Sequence, residues 1–570
     1  MVDPVGLLMR RFYGTICAAA ALALTAPACA DAATARSGEA IVQFDAGVGP
    51  AAQRAAVRAV GGRTIRDLHV IHALGVRLPA GAAARLARSA GVRAVTPNSA
   101  VTASAATTQP QSRAWSPGLL ATAFDQSTRT DRAWTNTAFR ATGKGVTVAE
   151  IDTGVAGDLP DFRVSRGDPA SRVIASVVTN PDATTAEDRY GHGTHVAGLI
   201  AGDGNALDAS DPLAGRYVGT APKANLVSIK ASDDHGNSSL IDVIAGLQFA
   251  VDHKDTYGIR VVNLSMNSTV ARSYRTDPLD AAAEAAWFHG IVVVTAAGNR
   301  GAAADAVAYA PANDPFVITV GAVDDHGTKD TADDTLAGWS SRGPTQDGFA
   351  KPDIVAPGAH IVAPLAPGSD FPSLCPACVV DGRYFRIGGT SMAAPVVAGI
   401  VADLLSAHPD WTPDQVKGAL TYRGGHNRTW WNPRPTADGA WEVAADNSLA
   451  AGANELSANE GVVPSDLIDP ATGSIDYSRA SWSRASWSSA SELLRASWSR
   501  ASWSCACGDD MLGGSNTTRA SWSRASWSSF FGDDPSTYGE LRGGTTGAAT
   551  AAAAGATPMA PTSTSTDVRG

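Results

Sequence analysis

Apolar runs and stretches of helical period alternate along most of this chain. The apolar runs predict buried strands at Val146–Ile151, Val173–Val178, Asn225–Ile229, Val261–Leu264, Ile291–Thr295 and Val317–Val320. The helical periods predict helices at Thr194–Ala201, Leu240–His253, Leu279–His289, Met392–Ala407 and Pro413–Thr421. Apolar strands separated by helices indicate a parallel sheet covered on both faces, so the predicted fold class is α/β with three layers.

A smaller unit with a different pattern comes before this region. Residues 39–101 predict strand, helix, strand, strand, helix and strand, beginning with the alternating stretch Glu39–Phe44. This is the order of a split β-α-β, or ferredoxin-like, α+β domain. We assign this domain to residues 38–105 and predict that residues 106–118, rich in Thr, Ser, Gln, Pro and Ala, form an exposed linker.

The first 30 residues have the features of a secretory signal peptide. Arg10 and Arg11 precede the apolar run 16–26, and Ala28-Cys29-Ala30 supplies a cleavage site of small residues. The run is too short and too rich in alanine to predict a membrane span, while Cys29 leaves lipidation open as an alternative. We therefore predict a signal peptide over residues 1–30 and a secreted, extracellular protein.

The chain changes character after the α/β region, which we assign to residues 119–454. Arg-Ala-Ser-Trp-Ser occurs six times within residues 455–540, and residues 541–570 form a low-complexity tail. A unit of this length is too short for a solenoid repeat. Two interpretations stay open: a disordered stretch, or a surface whose tryptophans stack on sugars and hold the protein at a cell wall or glycan.

Charge and cysteine content narrow the class of protein. The net charge of −10 argues against a nucleic-acid partner. Cys375 and Cys378 flank a Pro-Ala pair, which in an exported protein predicts a tight disulfide or free thiols, not a zinc site. Cys505 and Cys507 are separated by one residue, so a bond between them would be strained.

Four motifs place reactive side chains at the ends of predicted elements. In chain order they contribute the acid Asp152, the imidazole His192, the carboxamide Asn299 and the hydroxyl Ser391. Ser391 stands at a turn leading into a helix, where backbone N–H groups and the helix dipole favour developing negative charge. Taken alone, Thr390 or Ser391 is explained equally well as only a helix N-cap. The other three groups, each beside a glycine turn, favour the chemical interpretation.

This set of motifs resembles the subtilisin-like serine peptidases, in their chain order of Asp, His and Ser. The resemblance runs from about Trp134 to about Leu420 and implies a subtilisin-like fold with catalytic Asp152, His192 and Ser391. A serine hydroxyl needs a base within hydrogen-bond reach, a role that falls to His192. Asp152 would fix the imidazole tautomer, and Asn299 would donate to the oxyanion together with the Ser391 N–H. The other histidine of this motif, His195, is better explained as a packed or capping residue.

The resemblance also implies where substrate binds. Two segments correspond to the family's substrate-binding strands: Gly236, Asn237, Ser238, Ser265, Met266 and Asn267. The first three match the edge that pairs with the substrate backbone, so the expected substrate is a polypeptide. The family usually has glycine where this chain has Asn267, which leaves the width of the pocket wall open.

Arg300 follows Asn299 directly, where several relatives resemble one another in carrying an acid at the rim of the primary pocket. We predict that its guanidinium disfavours basic substrate side chains. The alternative is that Arg300 points into solvent or pairs with an acid such as Asp305.

The resemblance extends to two further properties. The 38–105 domain resembles the family's inhibitory propeptide, the chain's own intramolecular partner, with an independent small domain as the alternative. Asp161 matches a family calcium ligand and Asn205 lies in the corresponding loop, so structural calcium is a hypothesis, with two solvated loop residues as the alternative. No cofactor is expected for catalysis.

These observations predict a secreted serine endopeptidase that is made as a self-processing zymogen and acts through an acyl-enzyme. A dedicated processing protease held at the wall by the repeats is a variant of this prediction. The alternative from another class is a surface binding or adhesion protein on an inactive protease scaffold. The intact motifs favour the enzyme.

Overall fold

The structure is a computed structural model that describes residues 38–103, 123–421, 441–451 and 458–468, apart from residues 166, 205 and 209. The predicted signal peptide, linker, repeats and tail lie outside these residues, as do Cys505 and Cys507.

The N-terminal unit has its own sheet and its own core. Its elements are β1 (Glu39–Phe44), α1 (Pro50–Ala59), β2 (Arg63–Leu68), β3 (Ala73–Arg77), α2 (Ala82–Leu86) and β4 (Val92–Pro97). The strand order β2-β3-β1-β4 is antiparallel throughout. Buried Val42, Phe44, Val57 and Leu74 belong to a hydrophobic cluster separate from the main core. The ferredoxin-like α+β fold predicted for this unit is confirmed.

A strand that leaves this unit, β5 (Ala100–Ala103), pairs with the main domain. The strands of the main domain are β6 (Thr147–Asp152), β7 (Arg163–Ser165), β8 (Asp168–Ser171), β9 (Val173–Val178), β10 (Asn225–Lys230), β11 (Ser238–Ser239), β12 (Ile259–Leu264), β13 (Met266–Ser268), β14 (Val292–Ala296), β15 (Ile318–Asp324), β16 (Thr335–Leu336), β17 (Gly343–Pro344), β18 (Ala350–Lys351), β19 (Ile354–Pro357), β20 (Ile361–Pro364), β21 (Val379–Val380), β22 (Tyr384–Ile387) and β23 (Trp441–Glu442).

The central sheet of the main domain is parallel, in the order β23-β19-β15-β14-β12-β6-β10-β9, with β16 added antiparallel to β15. Strands β6 and β14 are buried along their whole length because helices cover both faces. In such sheets, functional side chains collect at the carboxyl ends of the strands.

The helices form the two outer layers. They are α3 (Phe124–Ser127), α4 (Thr130–Thr135), α5 (His192–Ala201), α6 (Leu240–Asp252), α7 (Lys254–Tyr257), α8 (Pro278–Phe288), α9 (Phe371–Leu374), α10 (Thr390–Ala407), α11 (Pro413–Thr421) and α12 (Ala445–Ala450). Helix α5 packs on α10, α6 packs on α8, and both pairs contact the sheet. The predicted three-layer α/β fold is confirmed. In the described part of the chain, α10 is long and apolar enough to cross a membrane, but it is the buried central helix.

Residues 458–468 pack onto the main domain, so the predicted boundary at residue 454 is too early. Asn459 Nδ2 donates to Phe316 O and to Asp414 Oδ1, and Ser465 N donates to the buried Glu284 carboxylate. Leu467 is buried. These contacts join positions far apart in sequence, and no local pattern signals them. The domain therefore continues to at least residue 468.

Candidate active site

The carboxylate of Asp152 and the imidazole of His192 meet at the carboxyl edge of the central sheet. Asp152 is the last residue of β6 and His192 the first of α5, and both are almost fully buried. Asp152 Oδ1 lies 2.7 Å from His192 Nδ1 and also accepts from Thr153 N at 2.8 Å. The acid therefore fixes the tautomer that leaves Nε2 as the proton acceptor.

The charge around His192 sets its affinity for a proton. Burial opposes the imidazolium, but the hydrogen-bonded Asp152 carboxylate and the charge of Asp188 favour it, and the net effect raises the pKa of His192. A base of this kind holds a proton firmly once it has taken one from a nucleophile.

Asp188 builds the helix terminus that presents His192. Its Oδ1 accepts from Gly191 N at 2.7 Å and its Oδ2 from Thr194 N at 2.8 Å, which satisfies N–H groups of the first turn of α5. A Cβ on Gly193 would lie 2.2 Å from Gly154 O, so only glycine lets the helix start this close to β6. The glycines around His192 thus allow its approach to Asp152.

The neighbouring His195 is structural. It is fully buried, and its Nε2 lies 2.9 Å from Phe385 O. Burial, together with the nearby His192, lowers the pKa of His195 to about 3. An imidazole of such low basicity, whose Nε2 is bonded to a carbonyl, is a poor general base near neutral pH.

Ser391 lies in the first turn of α10, at the same edge of the sheet. Its hydroxyl donates to Ser265 O at 2.8 Å, and its own carbonyl accepts from Ser265 Oγ at 3.0 Å. His192 Nε2 has no hydrogen-bond partner among the described residues. Asp152 and His192 are thus hydrogen-bonded, whereas Ser391 Oγ donates to Ser265 O and not to His192 Nε2. Catalytic hydrogen bonds of this kind often tighten only when substrate binds.

Asn299 follows β14, and Thr390 determines how it is oriented. Its Oδ1 accepts from Thr390 N at 3.0 Å and from Thr390 Oγ1 at 3.1 Å, while Thr390 Oγ1 accepts from Gly298 N. Because Oδ1 is used in this way, the amide Nδ2 is the end that can donate to another acceptor. Asn299 and Ser391 are therefore held together through Thr390, a residue that sequence analysis had singled out only as an N-cap.

A strand of the chain itself occupies the cleft beside Ser391. β5 lies between β11 and β13 and is antiparallel to both, with Val101 opposite Ser238 and Ser268 and with Ala103 opposite Met266. Its carboxyl end points toward Ser265, the residue bonded to Ser391. This is the geometry of peptide recognition by strand addition.

Comparisons with known proteins agree with this arrangement. The Subtilase family model matches residues 143–429, half of the chain. The chain belongs to the subtilase family of serine endopeptidases. It is 40% identical over 313 residues to the serine protease AprX of Bacillus subtilis, covering 54% of this chain and 67% of AprX. It is 35% identical over 289 residues to subtilisin E of the same species, covering 50% of this chain and 62% of subtilisin E.

A solved structure shows the same relationship. Fervidolysin from Fervidobacterium pennivorans, described as a keratinolytic enzyme related to subtilisin, superposes with a TM-score of 0.55 at 27% identity. The match covers 73% of this subtilase and 61% of fervidolysin.

The predicted substrate residues of this subtilase are brought to one cleft. Gly236 lies in a turn with a positive φ of 84°, and Asn237 N and Nδ2 both donate to Asp233, which shapes the loop before β11. Asn267 Nδ2 donates to Ala296 O at 2.9 Å, so its side chain is part of the wall near Asn299. Sequence analysis missed Ser239 and Ser268, which complete the two strands.

Arg300 is exposed and lies against an aromatic ring. Its guanidinium carbon lies 3.8 Å from the centroid of the Tyr309 ring, and Tyr309 Oη donates to Asp305 at 2.5 Å. Hydrogen bonding from Tyr309, with a smaller effect of Arg300, lowers the pKa of Asp305. Tyr309 therefore contacts Arg300 through its ring and Asp305 through its hydroxyl, and the Asp305 carboxylate offsets part of the charge of Arg300.

In the loops expected to bind calcium, the carboxylates of Asp161 and Asp203 form contacts with other side chains of the protein. Asp161 Oδ1 accepts from Tyr384 Oη, and Asp203 forms ion pairs with Arg172 and Lys223. Asn205 lies outside the described residues. No group of three or more His, Cys, Asp or Glu residues suited to a metal ion occurs in the described ranges. The calcium hypothesis for Asp161 and Asn205 therefore stays a prediction.

A short segment closed by a disulfide borders the site. Cys375 and Cys378 are bonded, with Cα atoms 5.3 Å apart, just after α9. Phe371 of α9 packs edge-on against both His192 and Tyr190. The spacing of the cysteines predicted a disulfide as one of two possibilities, but nothing local indicated its place beside His192.

Proposed function

We propose that this subtilase is a secreted endopeptidase, made as a self-processing zymogen, which cleaves polypeptides through an acyl-enzyme formed on Ser391. The contact between Asp152 and His192, 2.7 Å long and at the same sheet edge as Ser391, carries this proposal. The signal-peptide pattern before residue 30 and the Cys375–Cys378 disulfide support export.

In the first half of the reaction, Ser391 Oγ attacks the peptide carbonyl carbon while His192 Nε2 takes the hydroxyl proton. Asp152 stabilises the imidazolium that forms, without taking the proton itself. The carbonyl oxygen becomes an oxyanion, and Asn299 Nδ2 and the Ser391 N–H donate to it. The C–N bond then breaks, the amine leaves with the proton from His192, and an ester to Ser391 remains.

In the second half, a water molecule attacks this ester. His192 takes a proton from the water and returns it to Ser391 Oγ as the C–O bond breaks. The products are a carboxylic acid and the free serine, so the atoms and protons balance over the cycle. The backbone of substrate would lie where β5 lies, between β11 and β13.

The same geometry supports self-inhibition by the 38–105 domain. β5 enters the cleft as a substrate strand would, and the unit behind it is anchored on α6. His69 Nε2 lies 3.1 Å from Asp252 Oδ1, and both side chains are buried. Asn98 Oδ1 accepts from Ile241 N at 3.1 Å. We expect cleavage shortly after Ala103, since the strand points toward Ser391 there.

The experiment is expression of the full chain as wild type and as Ser391→Ala. We expect the wild type to mature, with a new N-terminus shortly after residue 103, and the variant to accumulate with the domain attached. Normal maturation of Ser391→Ala would mean that another protease performs the cleavage. Absence of peptidase activity in the matured wild type would refute the proposed function as a whole.

A further inference from the structure

A row of buried polar side chains crosses the central sheet directly behind the proposed catalytic groups. Glu150 of β6 lies in register with Ser228 of β10 on one side and with Asn263 of β12 on the other. Side chains at paired positions of a parallel sheet point to the same face. All three side chains are almost fully buried.

This row has fewer hydrogen-bond donors than acceptors. Among the described residues, neither carboxyl oxygen of Glu150 has a hydrogen-bond partner, and the same holds for Asn263 Oδ1 and Ser228 Oγ. Buried polar groups without partners are rare because each costs free energy. A Glu150 carboxylate beside Asn263 Oδ1 would place two acceptors next to each other with no donor between them.

The hydroxyl of Ser265 fixes the orientation of the Asn263 amide. Ser265 Oγ donates its proton to Ser391 O at 3.0 Å, so it accepts from Asn263 Nδ2, which lies 2.9 Å away. Asn263 Oδ1 must then point away from Ser265. The next strand offers it no donor, because the residue in register there is Val294. The remaining polar neighbour in the row is Glu150.

We propose that Glu150 is held as a neutral carboxylic acid whose proton is donated to Asn263 Oδ1, and that it acts as a positioning residue for Ser391. The chain of contacts runs from Glu150 through Asn263 and Ser265 to the backbone of Ser391. Its catalytic consequence rests on the proposed role of Ser391, whereas the protonation state of Glu150 does not.

The charges around Glu150 agree with a neutral acid. Asp152 lies two residues further along the same face of β6, and Asp188 lies beyond it. Burial and these two negative charges raise the pKa of Glu150 well above its usual range. From β10, Lys230 has its ammonium group bonded to Glu187 O and Asp234, and from α5 the nearest titratable groups are His192 and His195, of which His192 is paired with Asp152.

Helix α5 packs tightly over the Glu150 carboxyl. A Cβ on Gly193 would lie 3.0 Å from Glu150 Oε1. A neutral Glu150 also spares the Asp152 carboxylate a second negative charge close behind it.

The direct test is infrared difference spectroscopy on the full chain, with Ser391→Ala in both samples to prevent self-cleavage. A protonated carboxylic acid has a carbonyl stretch that a carboxylate lacks. Other buried acids contribute to this band as well, so we expect the difference spectrum at neutral pH to show that Glu150→Gln removes one carboxylic-acid component of it. If the difference spectrum shows loss of carboxylate bands instead, Glu150 is ionised and the proposal is wrong.

The positioning role is tested by kinetics on matured enzyme, with rates counted per Ser391 labelled by a fluorophosphonate. Glu150→Gln keeps a donor in the row and should retain kcat to within about threefold, whereas Glu150→Leu leaves Asn263 Oδ1 unpaired and should lower kcat about tenfold, a loss comparable to one hydrogen bond. KM should change little in both. Equal kcat values for the Gln and Leu variants would refute the positioning role.

Glu284→Gln is the matched control. Glu284 is also fully buried, but it accepts from Ser465 N in the outer layer. This variant should lower the melting temperature without changing kcat per labelled site. If it lowers kcat as Glu150→Leu does, the effect is general destabilisation and the proposal fails. If the wild type itself is not labelled, the proposed function has failed, and the infrared result still decides the protonation state.

Discussion

Replacing Val101 with alanine tests whether β5 occupies the substrate cleft of the enzyme. Val101 has 0% of its surface exposed and belongs to the hydrophobic core of the main domain, not to that of the N-terminal unit. Val101→Ala removes two carbon atoms at about 0.8 kcal/mol each. The cavity left behind brings the cost of binding to about 1.5–3 kcal/mol. We therefore expect the inhibition constant of the 38–105 domain to rise about tenfold to hundredfold.

The assay adds separately produced 38–105 domain to matured enzyme and measures initial rates of peptide hydrolysis. Thr102→Ala is the matched control, because Thr102 is exposed on the same strand. A surface substitution of this kind should change inhibition only about twofold. Circular dichroism of both variants checks the fold, which should survive because Val101 lies outside the core of the unit. If the two variants inhibit equally well, β5 does not bind in the cleft.

Three further predictions follow from the site and from the domain boundary. First, kcat/KM should rise with pH as His192 loses its proton, with a midpoint above the value of about 6.5 for a free imidazole, because the effect of the Asp152 carboxylate on the pKa of His192 outweighs that of burial. Asp152→Asn should move this midpoint down, and an unchanged midpoint would contradict the pairing of Asp152 with His192. Second, deletion of residues 469–570 should leave the rate of hydrolysis and the melting temperature nearly unchanged, whereas deletion of residues 455–570 should lower the melting temperature because it also removes the packed residues Asn459 and Ser465. Equal melting temperatures of the two truncated proteins would contradict the corrected boundary. Third, among peptides that differ only at P1, kcat/KM at low salt should be higher for Glu than for Lys by about fivefold or less, since the charge of Arg300 is exposed and partly offset by Asp305. Arg300→Glu should reverse this order, and a preference that neither salt nor the substitution changes would mean that Arg300 does not face the pocket.

Most of the fold was predictable because its strands and helices are marked by local patterns. The strand at Val173–Val178 and the helix at Pro413–Thr421 were predicted with their observed bounds. Helices α5 and α10 both begin two residues earlier than predicted, so His192 and Ser391 lie inside the first turn. Glycines precede both helices, and helical periodicity does not mark the start of a helix at such positions. β19 was missed because it is short and bounded by prolines.

The parts of the site that sequence did not reveal depend on contacts between distant segments. Asp188 lies four residues before His192, but its carboxylate shows its role only through the N–H groups it accepts from. Thr390 was visible as a cap, while its bonds to Asn299 required the fold. The stack of Arg300 on Tyr309 joins residues nine positions apart within a loop, where no period relates them. Motifs thus point to the candidate reactive groups, and packing determines what orients them.

In the proposed mechanism, Ser391 is a nucleophile activated by His192. The most direct measurement is covalent labelling of matured enzyme by a fluorophosphonate, with the modified residue mapped by mass spectrometry. We predict a single adduct on Ser391, loss of labelling in His192→Ala and retained labelling in His195→Leu, because His195 is bonded to Phe385 O and not to the Asp152–His192 pair. An adduct on another residue, or labelling that persists in Ser391→Ala, would contradict the account.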